Sequence, residues 1–260
     1  LSEGNYLMQV STIKENKERL YYIAGIILIV LGWQILSTIY NSIIIPSPLN
    51  TLEALKAMAI SGELKDNIFI SFRRQLGGLS LGVCFGLITG LLAGYFKRFE
   101  WLILPLINLL MSVPAIVFVV MAMVWLGLGT QLAIFIVGLL VFPVMHINTV
   151  EGLKSIDQDL IEMSRIYKLP LYHVITKIYF PGMLHGLIAG FSLALASSVR
   201  LTIMSELLGA REGIGQRIAI ARAYLETEQL FAWVLVLLAI LIAMEYLLIR
   251  PLKNLASRQR

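Results

Sequence analysis

Uninterrupted apolar blocks of about 20 residues constrain this chain more than any other feature. The stretch LYYIAGIILIVLGWQILSTIY, about residues 20–40, carries no charged side chain. A helix rising about 1.5 Å per residue needs roughly 20 such residues to cross a hydrocarbon core about 30 Å thick. Comparable blocks recur at about 68–95, 102–126, 131–150, 183–208 and 229–249. Soluble domains are charged at roughly a quarter of their positions. Here 14% of the 260 residues are charged and 58% are hydrophobic, with a mean hydropathy of +0.82. The expected fold class is all-α: one polytopic membrane domain over residues 1–260, with about six transmembrane helices and no soluble second domain. The first block is longer than a signal-peptide core and no small-residue cleavage site follows it, so it is expected to be retained.

The polar connectors set the topology. Residues 41–67 contain Pro-Ser-Pro, which marks a turn, then Leu52, Leu55 and Ala59 at helical spacing, which predict a short surface helix. Lys and Arg concentrate in cytoplasmic loops. With the N-terminal segment 1–19 inside, 13 basic residues fall on the inner side and 7 on the outer, so both termini are expected in the cytoplasm. The net charge of +5 fits this topology better than nucleic-acid binding. The single cysteine, Cys84, reads as a small buried hydrophobe, and His146, His173 and His185 lack metal-ligand spacing. Gly78, Gly82, Gly86, Gly90 and Gly94 recur every fourth residue, and Gly182, Gly186 and Gly190 repeat the pattern. Such faces admit a neighbouring backbone, either inside the bundle or at a moving or dimerising surface.

Residues 151–181 interrupt the apolar pattern. Ile156, Leu160, Met163 and Ile166 or Tyr167 have helical spacing. Ser155 with Gln158 fits a capping box, and Asp157 and Asp159 suit a helix N-terminus. Pro170 should end this helix and start another, whose apolar face is Leu171, Val174, Ile175 and Ile178. Pro181-Gly182 should break that one before the next span. The two short helices are amphipathic on faces that the bundle need not cover. They either anchor at the membrane interface or dock a cytoplasmic partner.

Here the residues resemble a family signature. Permease subunits of ATP-driven (ABC-type) bacterial importers carry E-A-A-x-x-x-G-x(9)-I-x-L-P on the cytoplasmic side. Glu162 takes the glutamate position, Met163 and Ser164 the alanines, Lys168 the glycine, Ile178 the isoleucine, Phe180 the leucine and Pro181 the proline. Lys168 departs most, because glycine is the residue best suited to a left-handed turn; the bend is expected to differ or to lean on Pro170. The stretches PSPLNTLEAL, RRQLGGLSLGVCFGLITGLLAGYF, LPLINLLMSVPAIVFVVMAMVWLGLG and NTVEGLKSIDQDL resemble the nitrate, sulfonate, taurine and bicarbonate branch, which includes carriers of thiamine precursors. The resemblance implies a permease subunit in the bacterial inner membrane, usually present in two copies and paired with an extracytoplasmic solute-binding protein. It also implies a cytoplasmic ATPase that binds ATP and Mg, docked through a coupling helix. The ATPase-coupling residues would be Asp159, Glu162, Met163, Ser164, Arg165, Tyr167, Lys168, Leu169 and Pro170. This chain itself would need no cofactor and catalyse nothing.

Charges within the spans are the remaining candidates. Arg200 lies in the fifth block, where a charge at the membrane centre costs about 2.5–3.5 kcal/mol on insertion scales. Such a residue faces protein or water. Glu206 lies about 120° around the helix from it, a poor partner, and Ser198, Thr202 and Ser205 cluster on another face. Arg200, Ser198, Thr202, Ser205 and Glu206 are candidates for a translocation path; alternatively Arg200 snorkels or pairs with another helix. A secondary transporter or channel without an ATPase is the alternative function, but the chain shows no inverted repeat and few intramembrane acids. An intramembrane enzyme would need clustered acids or histidines. The chain also lacks the phosphate-binding G-x-x-x-x-G-K-[ST] loop.

Overall fold

The glycine repeat dictates the centre of the bundle. α3 (Glu63–Tyr95) lies along α6 (Thr130–Lys154), and each glycine of the stripe receives one side chain of α6. Gly78 meets Val137, Gly82 meets Val141, Gly86 meets Met145, Gly90 meets Thr149 and Gly94 meets Leu153. A Cβ on any of the five would stand 2.5–2.8 Å from its neighbour, closer than real Cβ atoms come. The neighbouring face of α6 packs on α9 (Phe180–Gly209) in the same way: Gly186 lies against Gly152 and Gly190 against Asn148. Both stripes are therefore spent on packing within the chain. Lipid tails give no hydrophobic drive between helices, so this close van der Waals contact supplies much of the cohesion.

The structure, a computed structural model, describes residues 2–252, with side chains from Leu20 onward apart from Ile23. Lys253, Arg258 and Arg260, and the side chains of Lys14, Lys17 and Arg19, all of which weigh in the orientation, lie outside the described residues. Among the described residues there is no strand. α1 (Ser2–Ile39) carries the first span, which has no fully buried residue among those described; Trp33 ties it to the rest by donating to Pro46 O and packing on Phe231. α2 (Pro48–Ile60) is the expected surface helix, with Ser47 capping the amide of Asn50 and Pro48 in the first turn. Its buried residues are Thr51 and Met58, while Leu52 is exposed, so the inward face is rotated from the one expected. The helix docks through Met58 on the Trp233 cluster, and Thr51 needs only its own backbone partner, Ser47 O.

Five helices are long and apolar enough to span, or six if one bent pair is counted as a single span. That pair is α4 (Lys97–Ser112) and α5 (Ala115–Leu126), bent by 102°. It corrects the expectation of one straight span over 102–126. Pro114 has no N–H for the α-helical bond, and Val113 before it is extended (ψ 132°), as residues preceding proline tend to be. The pair still crosses the bundle. Glu100 near the start of α4 bonds Lys154 at the end of α6, whereas Gly129, just past α5, donates its amide to Gly209 at the far end of α9. α10 (Ile214–Ala223) and α11 (Thr227–Met244) complete the chain, and a π turn, Glu245–Ile249, prolongs α11.

A second correction concerns Pro181-Gly182. The helix does not break there: α8 (Leu171–Val174), a π turn (Ile175–Tyr179) and α9 run on as one rod over Leu171–Gly209. In an α-helix the ring of Pro181 would strike the carbonyl four residues back. The wider π turn, in which the Phe180 amide reaches Ile175 O, immediately precedes the proline and makes room for it.

Candidate functional site

Between α6 and the rod beginning at α8 the chain makes an elbow, residues 155–170, built on α7 (Gln158–Ile166). Asp157 caps α7 by accepting from the Asp159 amide. Ser155 instead bonds back to Gly152 O within α6, so the expected capping box does not form. The elbow is held by a small core of Ile156, Ile178 and Met183, with Ile161 and Val174 against it. The elbow and the first turn of α8 after it leave several other apolar side chains exposed. Met163 is 43% exposed, Ile166 76%, Tyr167 73%, Leu171 79% and Tyr172 73%. Asp159, Glu162, Arg165, Lys168, Leu169 and Pro170 are also exposed, and of the nine expected coupling residues only Ser164 is buried, its hydroxyl bonded to Ile161 O.

The departure at Lys168 leaves the bend intact. Lys168 takes the left-handed conformation itself, with φ 47°. The Leu169 amide bonds Ser164 O and the Lys168 amide bonds Arg165 O, the double closure that ends helices when glycine holds this position. A lysine there bears a steric cost of roughly 1–2 kcal/mol. Lys168→Gly should therefore stabilise the elbow, slowing hydrogen exchange at Leu169 by about five-fold for each kcal/mol gained. Unchanged or faster exchange would show that the turn carries no such strain.

The five expected path residues part company. Ser198, Thr202, Ser205 and Glu206 are all at most 2% exposed inside the chain. The three hydroxyls bond carbonyls of their own helix, and Ser198 also accepts from the Gln75 amide. Arg200 alone is exposed. Among the described residues it makes no salt bridge. It borders an open cleft of about 430 Å³ beside the α4–α5 break, with Ser112, Pro114 and Ser197.

Glu206 has a partner on another helix. Arg74 of α3 bonds it at 2.9 Å and also reaches Glu212 O at 2.6 Å and Thr130 Oγ1 at 3.1 Å. Ser71 Oγ donates to the second carboxylate oxygen, as does the Gly215 amide, while the Gly213 and Ile214 amides are held by Asn67 and Ser71. Gly213 has φ 105°, and a Cβ there would collide with the Glu206 carboxylate. The network thus pins the α9–α10 turn to α3. Arg74, Ser71 and Asn67 escaped the sequence reading; the signal available was an arginine and two polar residues one helical turn apart at the head of an apolar block.

Residues 82–260 match the family model described as binding-protein-dependent transport system inner membrane component. The "Putative aliphatic sulfonates transport permease protein SsuC" of Bacillus subtilis strain 168 is 28% identical over 228 residues, covering 86% of this chain and 83% of the relative. The protein of the same name from Escherichia coli K12 is 34% identical over 203 residues, 77% of each chain. The taurine transport system permease protein TauC of Escherichia coli K12 is 23% identical, covering 84% of this chain and 82% of TauC. A solved chain of the MetNI methionine ABC transporter, in an inward facing conformation, shares the fold at a TM-score of 0.64 and 20% identity, covering 78% of this chain and 98% of that one. With five or six apolar spans, an exposed elbow between α6 and the rod that begins at α8, and a family match over more than half its length, this chain belongs to the inner-membrane permease subunits of binding-protein-dependent ABC importers.

Proposed function

We propose that two copies of this chain form the translocation path of an importer for a small anionic solute, and that each copy docks a cytoplasmic ATPase through its elbow. The observation that carries this reading is the apolar surface on the elbow. Met163, Ile166, Tyr167, Leu171 and Tyr172 project from a segment that is itself anchored by its own core. A surface of exposed aliphatic and tyrosine side chains rimmed by Asp159, Glu162, Arg165 and Lys168 has the make-up of a protein interface, apolar at its centre and polar at its rim. The elbow side also bears Lys97, Arg98, Lys154, Lys177 and Arg250, which supports its placement in the cytoplasm with both termini. ATP and Mg belong to the ATPase subunit. The solute-binding protein meets the opposite side. The anionic solute is supported by Arg200 and by the sulfonate and taurine permeases among the relatives.

The test is a pull-down from membranes co-expressing two differently tagged copies with the ATPase. The two copies and the ATPase should purify together. Ile166→Glu with Tyr167→Glu, both far enough from the core to leave folding alone, should release the ATPase while the two copies stay paired. Losing interface anchors costs about 2 kcal/mol or more each, roughly 30-fold in affinity. ATPase retained by the double variant would contradict docking at the elbow, and a distinct permease in place of the second copy would contradict the homodimer.

A further inference from the structure

The cleft beside Arg200 is matched on another flank of α9 by a cavity of different chemistry. It lies between α3, α9 and α11 and has a volume of about 210 Å³. Among the described residues no charged side chain lines it. Its walls are mainly apolar, with Phe72, Ile203, Leu237 and Ile240 among them, and its polar side chains are Ser71, Gln75 and Thr202. Gln75 stands twelve residues along α3 from Glu63, about 18 Å of helix, so the cavity is at mid-depth of a hydrocarbon core about 30 Å thick.

One polar atom there lacks a partner. Gln75 is 5% exposed, and its amide nitrogen is turned to protein: Nε2 donates to Ser198 Oγ at 3.0 Å and lies 3.7 Å from Met244 Sδ. Ser198 Oγ gives its own hydrogen to Leu195 O, so towards Gln75 it accepts, which fixes the nitrogen on that side and the oxygen, Oε1, on the other. Oε1 accepts nothing among the described residues, yet protein does not seal it off, so the cavity is the space it meets. The two hydroxyls are already committed as donors, Ser71 to Glu206 and Thr202 to Ser198 O. The polar end of the cavity therefore offers an acceptor and calls for a donor, since a buried acceptor left unsatisfied is costly.

We infer that this cavity is a binding site for a small uncharged alcohol or phenol that enters from the bilayer. Apolar cavities of about 150 Å³ hold benzene, so the body of such a molecule fits among Phe72, Leu237 and Ile240. Its hydroxyl donates to Gln75 Oε1. An ammonium would reach the same oxygen but would bring a charge to walls that carry none, and an anion would find no free donor. The exposed lining residues, Phe72 and Ala243, put the mouth between α3 and α11 at the surface of the chain. The occupant rests on Val199 and Thr202 of the rod that starts beside the elbow and carries Arg200, so it bears on α9 without entering the Arg200 cleft.

The probe is a diazirine-bearing octanol, photolysed with the full complex in phosphatidylcholine vesicles and located by peptide mass spectrometry. Label should concentrate on Phe72, Leu237, Ile240 and Ala243, should saturate, and should fall when unlabelled octanol is added in excess. The matching diazirine-bearing octane, at equal concentration in the bilayer, should bind about ten-fold more weakly, the loss that goes with one hydrogen bond. Gln75→Leu should erase that difference, and Ala243→Phe, which fills the mouth, should remove the saturable label. Label spread over the exposed faces of α1 and α4 of the unmodified complex, without saturation or competition, would show a probe merely dissolved in lipid and would overturn the inference. Equal saturable binding of the octanol and the octane would contradict the assignment to an alcohol. Both of these comparisons use the unmodified complex, so they decide the matter even if a variant fails to assemble.

Discussion

Arg200→Ala is expected to cut solute uptake by about 10- to 100-fold while leaving the complex assembled, the range that follows from losing one charged hydrogen bond to an anion. The side chain is exposed on the cleft and pairs with no carboxylate among the described residues, so its removal strands no buried partner. Arg200→Lys should restore only part of the uptake, because the ammonium keeps the charge and loses the planar donor fork that suits sulfonate or carboxylate. Uptake by reconstituted vesicles, with complex yield as the control, distinguishes the roles. A lower yield with Arg200→Ala would mark a structural residue, and an assembled complex with normal uptake would remove Arg200 from the path.

Breaking the Arg74–Glu206 pair should have a larger effect on folding. Both side chains are at most 4% exposed. Glu206→Ala leaves the Arg74 charge, the Ser71 hydroxyl and the Gly215 amide without their carboxylate. Removing one member of a buried pair costs about 3–5 kcal/mol, a large fraction of any protein's stability. The variant should fail to give monodisperse complex or should unfold at markedly lower temperature. Arg74→Met combined with Glu206→Leu should recover part of the loss, since neither charge is then stranded. The recovery should be incomplete, because Thr130, Glu212 and the Gly215 amide still lose partners. A single variant as stable as the parent would show that the network does not hold the α9–α10 turn.

Much of this architecture could be read from local pattern. Block length gave the spans, and the four-residue glycine period gave the packed faces of α3 and α9, because both signals depend on residues near one another in sequence. The missed features depend on geometry that hydropathy does not register. Residues 102–126 are apolar on both sides of the break, so no change of composition marks the 102° bend. Proline alone does not mark it either: Pro105 and Pro143 sit inside unbroken helices, whereas Pro114 ends one. Pro181-Gly182 is the reverse case, a strong breaker made harmless by one widened turn before it. The Arg74–Glu206 pair joins residues 132 apart, and nothing in either neighbourhood names the other. Lys168 shows the limit of residue preference: surrounding hydrogen bonds hold it in the conformation that glycine would have adopted freely.

The central claim is that the elbow transmits between the ATPase and the path. Packed bodies that hold two discrete arrangements pass motion as rigid units, and under the proposed docking the elbow, anchored by Ile156, Ile178 and Met183 beside α6 and α9, would move as one such body. The most direct measurement is stimulation of ATP hydrolysis by the loaded binding protein in reconstituted complex carrying Glu162→Lys or Arg165→Glu. Both residues are exposed, so the permease should insert and fold as before. Each variant should lose the stimulation, and uptake with it, although the ATPase itself remains able to hydrolyse ATP. Normal stimulation together with normal uptake in both variants would contradict the account.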